Sequence, residues 1–298
     1  MFLTSKICRI LVVPAVAVAG TLTVQCQPSI PNEYKTGGFA IGCQAYSFHG
    51  YNANGFKGFS VFESIEKTAA AGGKIIEFYP GQSLTPEEPN VKWDHNAAPE
   101  IIARVKEKLA KHKIKAVNYG VVGIPKDEAG ARKVFDFAKT MGLRAITTEA
   151  TDAIDTIEKL VKEYDIAVGY HNHPRRANDA NYKVWDPNYI LELTKNRDRR
   201  IGAAADTGHW LRSSLKPLEC LRILKGRIIS VHLKDLNTLG PGAHDVPYGT
   251  GVADIKACLD ELKAQGFAGN ISIEYEYNWE KSLPEITQCI DFVRNYGK

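Results

Sequence analysis

The 298-residue sequence has no Cys-x-x-Cys pair, no glycine-rich loop opening its first helical segment, and no block of lysine and arginine. The first absence removes a disulfide framework, although six cysteines are present. Cys8 falls in the N-terminal apolar segment, Cys43 in an expected strand, and Cys220, Cys258 and Cys289 in expected helices, where they read as buried free thiols. The second absence argues against a doubly wound dinucleotide-binding sheet. The third argues against a polyanion partner, because the formal charge of +4 is spread over 38 basic and 34 acidic residues. An uninterrupted apolar run of membrane-spanning length is also missing; the single candidate, near the N-terminus, is short and broken by Pro14.

That N-terminal stretch, MFLTSKICRILVVPAVAVAGTLTVQC, has Lys6 and Arg9, then apolar residues, then small ones. This is the layout of an export signal, with AVA at 17–19 offering cleavage before Gly20. Residues 1–25 are expected to be a signal-like segment and 26–38 a linker. The protein is then periplasmic or secreted, with Cys26 as an alternative lipoprotein anchor site. Residues 1–19 hold two bases and no acids, so cleavage there leaves +2.

From residue 39 to 298 the chain alternates short Ile/Val/Ala-rich runs with amphipathic segments. FAIGCQAYSF (39–48), KIIEFYP (74–80) and IKAVNYGVVG (114–123) read as the first three strands. RAITTEA, IAVGYHNH, RIGAAADTGH, RIISVHLKD and NISIEYEY follow, each paired with a helical segment. Alternation of this kind implies parallel pairing through crossovers. Eight units predict a single-domain (β/α)8 TIM barrel over 39–298, with its site at the carboxyl ends of the strands.

The late strands all end in ionisable groups. Strand four offers Glu149, strand five His171 and His173, and strand six Asp206 and His209. Strand seven offers His232, Lys234 and Asp235, and strand eight Glu274 and Glu276. Alternation places His171 with His173, His232 with Lys234, and Glu274 with Glu276 on common faces. Such groups in a barrel interior cost free energy unless paired or bound to something. Mixed carboxylates and imidazoles suit a divalent ion. Each residue also has a plainer reading: Asp206 as a helix cap, His232 as a core histidine, Glu274 as a partner of Lys234.

The sequence resembles the xylose isomerase-like TIM barrels, the sugar phosphate isomerase/epimerase family, over residues 39–298. DTGHW resembles the strand-six D-x-x-H, VHLKD the strand-seven H-[IL]-K-D, DVPYGTGVAD the loop that follows, and ISIEYE the strand-eight glutamate. The resemblance implies one divalent metal ion (Mn, Zn, Co, Fe or Mg) on Asp206, His232 and Glu274, with a fourth ligand from strand five. Epimerase members use a glutamate there, whereas this chain offers His171 or His173, with Glu149 as a further candidate. The assignment adopted gives His171 to the metal. Glu274, His173, His209, Lys234 and Glu149 are then the catalytic candidates.

The implied activity is sugar isomerisation or epimerisation by proton abstraction next to a carbonyl, through an enediolate. The same intermediate serves a keto-sugar or keto-glycoside lyase or hydratase, the leading alternative. A non-catalytic sugar-binding barrel is a third reading. An AP endonuclease is disfavoured, because strands two and three end without histidine. The expected partner is a small carbohydrate, with no nucleic acid and no membrane span in the mature chain; a homo-oligomer is compatible with the sequence. Tyr46, Trp210 and His244 are the substrate-binding candidates, with Phe48, Tyr79 and Tyr248 as further aromatics at the mouth.

Overall fold

A computed structural model describes residues 29–50 and 58–298. The signal-like segment and Cys26 lie outside the described residues. Eight parallel strands close into a barrel: β1 (Ala40–Gln44), β2 (Ile75–Phe78), β3 (Lys115–Tyr119), β4 (Ala145–Thr148), β5 (Ala167–His171), β6 (Ile201–Asp206), β7 (Ile228–Leu233) and β8 (Asn270–Ile273). Each strand pairs with its sequence neighbours, and β8 closes onto β1 in the register Ala40 with Asn270 to Cys43 with Ile273. This is the (β/α)8 architecture expected from the alternation.

The helices outside the barrel follow from their sequences. Ser60 and Glu63 form a reciprocal capping box at the start of α1 (Val61–Ala70). Pro99 opens α2 (Pro99–His112), and Gly142 ends α3 (Glu128–Met141) in a left-handed conformation. α4 (Ile154–Tyr164) buries Ile154, Ile157, Leu160 and Val161 along one stripe. α5 (Pro187–Thr194), α6 (Thr207–Arg212), α7 (Pro217–Ile223), α8 (Ile255–Ala264) and α9 (Leu283–Arg294) complete the layer among the described residues. At the base, Ile30 packs on Ala40, Ile75 and Val117, so the chain expected to be a linker covers the barrel floor from that point.

Three strands are shorter than the sequence suggests. β1 stops at Gln44, whose side chain accepts from the Tyr46 N–H and turns 45–48 into a 3-10 helix. β3 stops before Gly120, where a Cβ would lie 2.1 Å from the Thr147 carbonyl oxygen. β6 stops at Asp206, and α6 begins at the next residue. Cys43, Cys220, Cys258 and Cys289 are buried and unpaired, and burial pushes the first three thiols up to about 12. No helix among the described residues is long and apolar enough to cross a membrane.

Ion pairs knit the outer layer. Arg197 holds Asp155 and Glu158, and Arg200 holds Asp165 and Asp198. Hydrogen bonds from Arg197 and Arg200 lower the carboxyls of Glu158 and Asp198, against a smaller opposing effect of burial. A lowered folded-state value contributes stability above the unfolded value, lost as pH falls through the folded one. The melting temperature should therefore drop as pH goes below about 4.5. In thermal melts the drop should shrink in about 0.5 M NaCl, because half-exposed pairs are screened.

Candidate active site at the carboxyl ends of the strands

Asp206 is both the last residue of β6 and the N-cap of α6. Its Oδ1 accepts the His209 backbone N–H at 2.7 Å. Its Oδ2 is buried and faces the Lys234 ammonium at 3.1 Å. The capping reading is met by Oδ1, while Oδ2 faces the ionisable groups of the neighbouring strands.

Around Oδ2 stand donors from neighbouring strands. His171 Nε2 lies 3.5 Å from it and His232 Nδ1 3.7 Å. The two imidazole nitrogens are 3.2 Å apart, and His232 Nδ1 is 3.2 Å from Glu274 Oε2. His171, Asp206, His232 and Glu274 are all buried, with one ligand atom of each within 4.8 Å of the others. Four donors at about 2.1 Å from a tetrahedral ion stand roughly 3.4 Å apart. The observed spacings fit a divalent cation.

Lys234 lies beside this set, fully buried. Its Nζ is 3.1 Å from Asp206, 2.8 Å from Glu274 and 2.6 Å from Glu276. Burial opposes its charge, but these carboxylates outweigh burial and raise the ammonium well above its ordinary value. Arg212 extends the network to Asp245 and Glu276. His209 is also buried, and that burial, with the Lys234 charge, holds it well below the ordinary imidazole range despite Asp206.

The sequence reading missed Glu77, a fully buried carboxylate in β2. Its Oε1 is 3.1 Å from His232 Nε2 and accepts from Thr147, and its Oε2 accepts from Ser272 and Asn270. Glu77 therefore stands as a counter-charge behind Nε2, while Nδ1 faces the donor cluster. Burial lowers His232, yet Glu77 and Glu274 together raise it well above its usual value. The available signal was one acid inside the apolar run KIIEFYP.

His173 and Glu149 form a second pair, Nδ1 to Oε1 at 2.5 Å. Tyr182, also missed, donates to the same Oε1 at 2.7 Å and accepts from the His173 backbone N–H. No local pattern marks Tyr182, which lies in the long loop after β5. His173 and Glu274 both line a cavity of about 270 Å³, together with Gln44, Tyr46, Tyr79 and Gly120. The Gln44 amide donates to the Gly120 carbonyl oxygen and holds that edge.

Two substrate-binding candidates need correction. Trp210 is 1% exposed and packs in the core, because α6 starts directly after Asp206 and carries it away from the mouth. His244 stacks on Tyr277 at 4.3 Å and does not line the 270 Å³ cavity. Phe48 and Tyr248 are likewise buried, the Tyr248 hydroxyl donating to the Leu233 carbonyl oxygen. The segment DVPYGTGVAD is organised by Asp235, which accepts the backbone N–H groups of Gly249, Gly251 and Ala253. A Cβ at Gly251 would lie 2.4 Å from that carboxylate, which explains a glycine there.

Comparison with known proteins bears on the family and the fold. L-ribulose-5-phosphate 3-epimerase UlaE of Shigella flexneri is 35% identical over 71 residues, 23% of this chain and 24% of the relative. The chain thus spans about a quarter of the length of the curated relatives it matches. A solved protein of Parabacteroides distasonis is 30% identical, with 86% of this chain and 98% of that one covered and a TM-score of 0.66. D-allulose 3-epimerase from a Methylomonas species, 15% identical with 85% and 96% covered, shares the fold at a TM-score of 0.62. Residues 65–296 match the family model described as xylose isomerase-like TIM barrel, and the chain belongs to that family.

Proposed function

We propose that this protein is a divalent-metal-dependent sugar isomerase or epimerase that removes the proton next to a carbonyl. The observation that carries this reading is the convergence of two proton-transfer candidates, Glu274 and His173, on one cavity beside a buried four-donor cluster. His171, Asp206, His232 and Glu274 would hold the ion. When bound, it supplies Lewis-acid polarisation of the carbonyl and the adjacent hydroxyl.

The chain's own groups do the rest. Glu274 or His173 takes the carbon-bound proton and the other returns one. Return to the opposite face of the same carbon gives an epimer; return to the neighbouring carbon gives an isomer. Glu149 fixes the His173 ring through Nδ1, leaving Nε2 to exchange protons with substrate. Lys234 balances the carboxylates of Asp206, Glu274 and Glu276 and keeps them in place. The sugar class is supported by the epimerases among the relatives.

The test is solvent exchange. Metal-loaded protein incubated in D₂O with a panel of ketoses and aldoses should place deuterium at the carbon beside the carbonyl and accumulate an epimer or isomer. An unsaturated product would move the assignment to a lyase. Binding without exchange would leave a sugar-binding barrel.

A further inference from the structure

Resting on that reading, we propose that the substrate is a neutral two-ring sugar, its reacting ring in the 270 Å³ cavity and its second ring in the cavity beside it. The adjoining cavity measures about 330 Å³ and shares Tyr46, Tyr79 and Pro80 with the first. Either one alone is at the small end for a ligand site, typically about 300–1,000 Å³, whereas the two side by side suit the two rings of a disaccharide or glycoside. The shared wall is aromatic. Tyr46 meets Tyr79 edge-on at 5.2 Å, and His49 packs against both, at 4.5 and 5.6 Å. Rings presented this way offer an apolar surface to the C–H face of a sugar.

The outer cavity also has a firmly held amide in its wall. Gln82 lines it and is 4% exposed. Its amide nitrogen donates to the Phe59 carbonyl oxygen and the Ser64 hydroxyl, both at 2.8 Å. The bond to a carbonyl fixes which end of the amide is nitrogen. Gln82 thus braces the wall below the aromatic residues rather than reaching into the cavity.

Charge points away from a sugar phosphate. Phosphate sites use charge-assisted bonds from arginine or lysine, or helix N-termini. Among the described residues the two cavities have a single lysine or arginine in their lining, the exposed Lys92, and no arginine to grip a phosphate in a bidentate pair. Lys234 and Arg212, in the neighbouring cluster, are each held by carboxylates.

The experiment compares three probes on metal-loaded protein: fructose, fructose 6-phosphate, and isomaltulose, a neutral glucosyl-fructose. Calorimetry reads binding, and deuterium incorporation reads turnover. Isomaltulose should bind more tightly than fructose by about tenfold, the scale of one aromatic contact, and show a matching gain in kcat/KM where exchange occurs. Fructose 6-phosphate should gain nothing. His49→Ala should collapse the isomaltulose-to-fructose binding ratio toward one, and His49→Phe, which keeps an aromatic ring there, should restore it. Equal binding of isomaltulose and fructose, no binding of any probe, or a preference for the phosphate would overturn the proposal. Phosphate preference would direct attention to the separate cavity after β5 that carries Arg175, Arg176 and Lys183. Exchange without isomaltulose preference removes the two-ring inference alone; preferential isomaltulose binding without exchange removes the isomerase reading alone.

Discussion

Asp206→Asn yields a folded protein that no longer retains a divalent ion. The two oxygens of this residue do separate jobs, and asparagine can do one of them. Its carbonyl oxygen still caps α6 by accepting from His209, since asparagine and aspartate cap about equally well. The buried Oδ2 is replaced by an amide nitrogen that donates rather than ligates. Metal affinity should fall by more than the ~10–100-fold typical of changes one shell further out, and catalysed exchange with it. Asp206→Ala should lose the metal in the same way and also the cap, a further cost of about 1 kcal/mol, or roughly 2 °C in melting temperature. Elemental analysis and thermal melts on both variants separate the two jobs. Normal metal content in Asp206→Asn would remove this residue from the ligand set.

His173→Gln should keep its metal and lose turnover by roughly 10²–10⁴-fold, the range of a positioned acid–base group. His173 lines the cavity but does not belong to the buried set His171, Asp206, His232 and Glu274. Glu149→Gln should lower kcat less, with KM and metal content close to wild type, because His173 and Tyr182 remain in place and only the carboxylate that orients the imidazole is changed. If His173→Gln instead lost metal with no separate effect on kcat, His173 would be a ligand and the proton-transfer assignment would pass to another group.

Much of this arrangement could be read from residue order. Alternating Ile/Val/Ala runs and amphipathic segments encode the barrel, because each strand must bury both faces and each helix only one. Convergence at the strand ends then followed from topology, and His171, Asp206, His232, Lys234 and Glu274 do meet there. Glu77 is not marked by position, because it acts from within β2, behind the His232 ring, rather than from a strand end. Trp210 and His244 were misplaced for a different reason. Their directions depend on a strand-to-helix junction at Asp206 and on a loop gathered around Asp235, both set by contacts distant in sequence.

The measurement that bears most directly on the account is the metal content of mature wild-type protein, purified without added metal and again after reconstitution with Mn²⁺, Zn²⁺, Co²⁺, Fe²⁺ or Mg²⁺. The account predicts about one divalent ion per chain, since His171, Asp206, His232 and Glu274 are spaced for one tetrahedral-sized site. Protein that holds no ion after reconstitution with any of the five would contradict it.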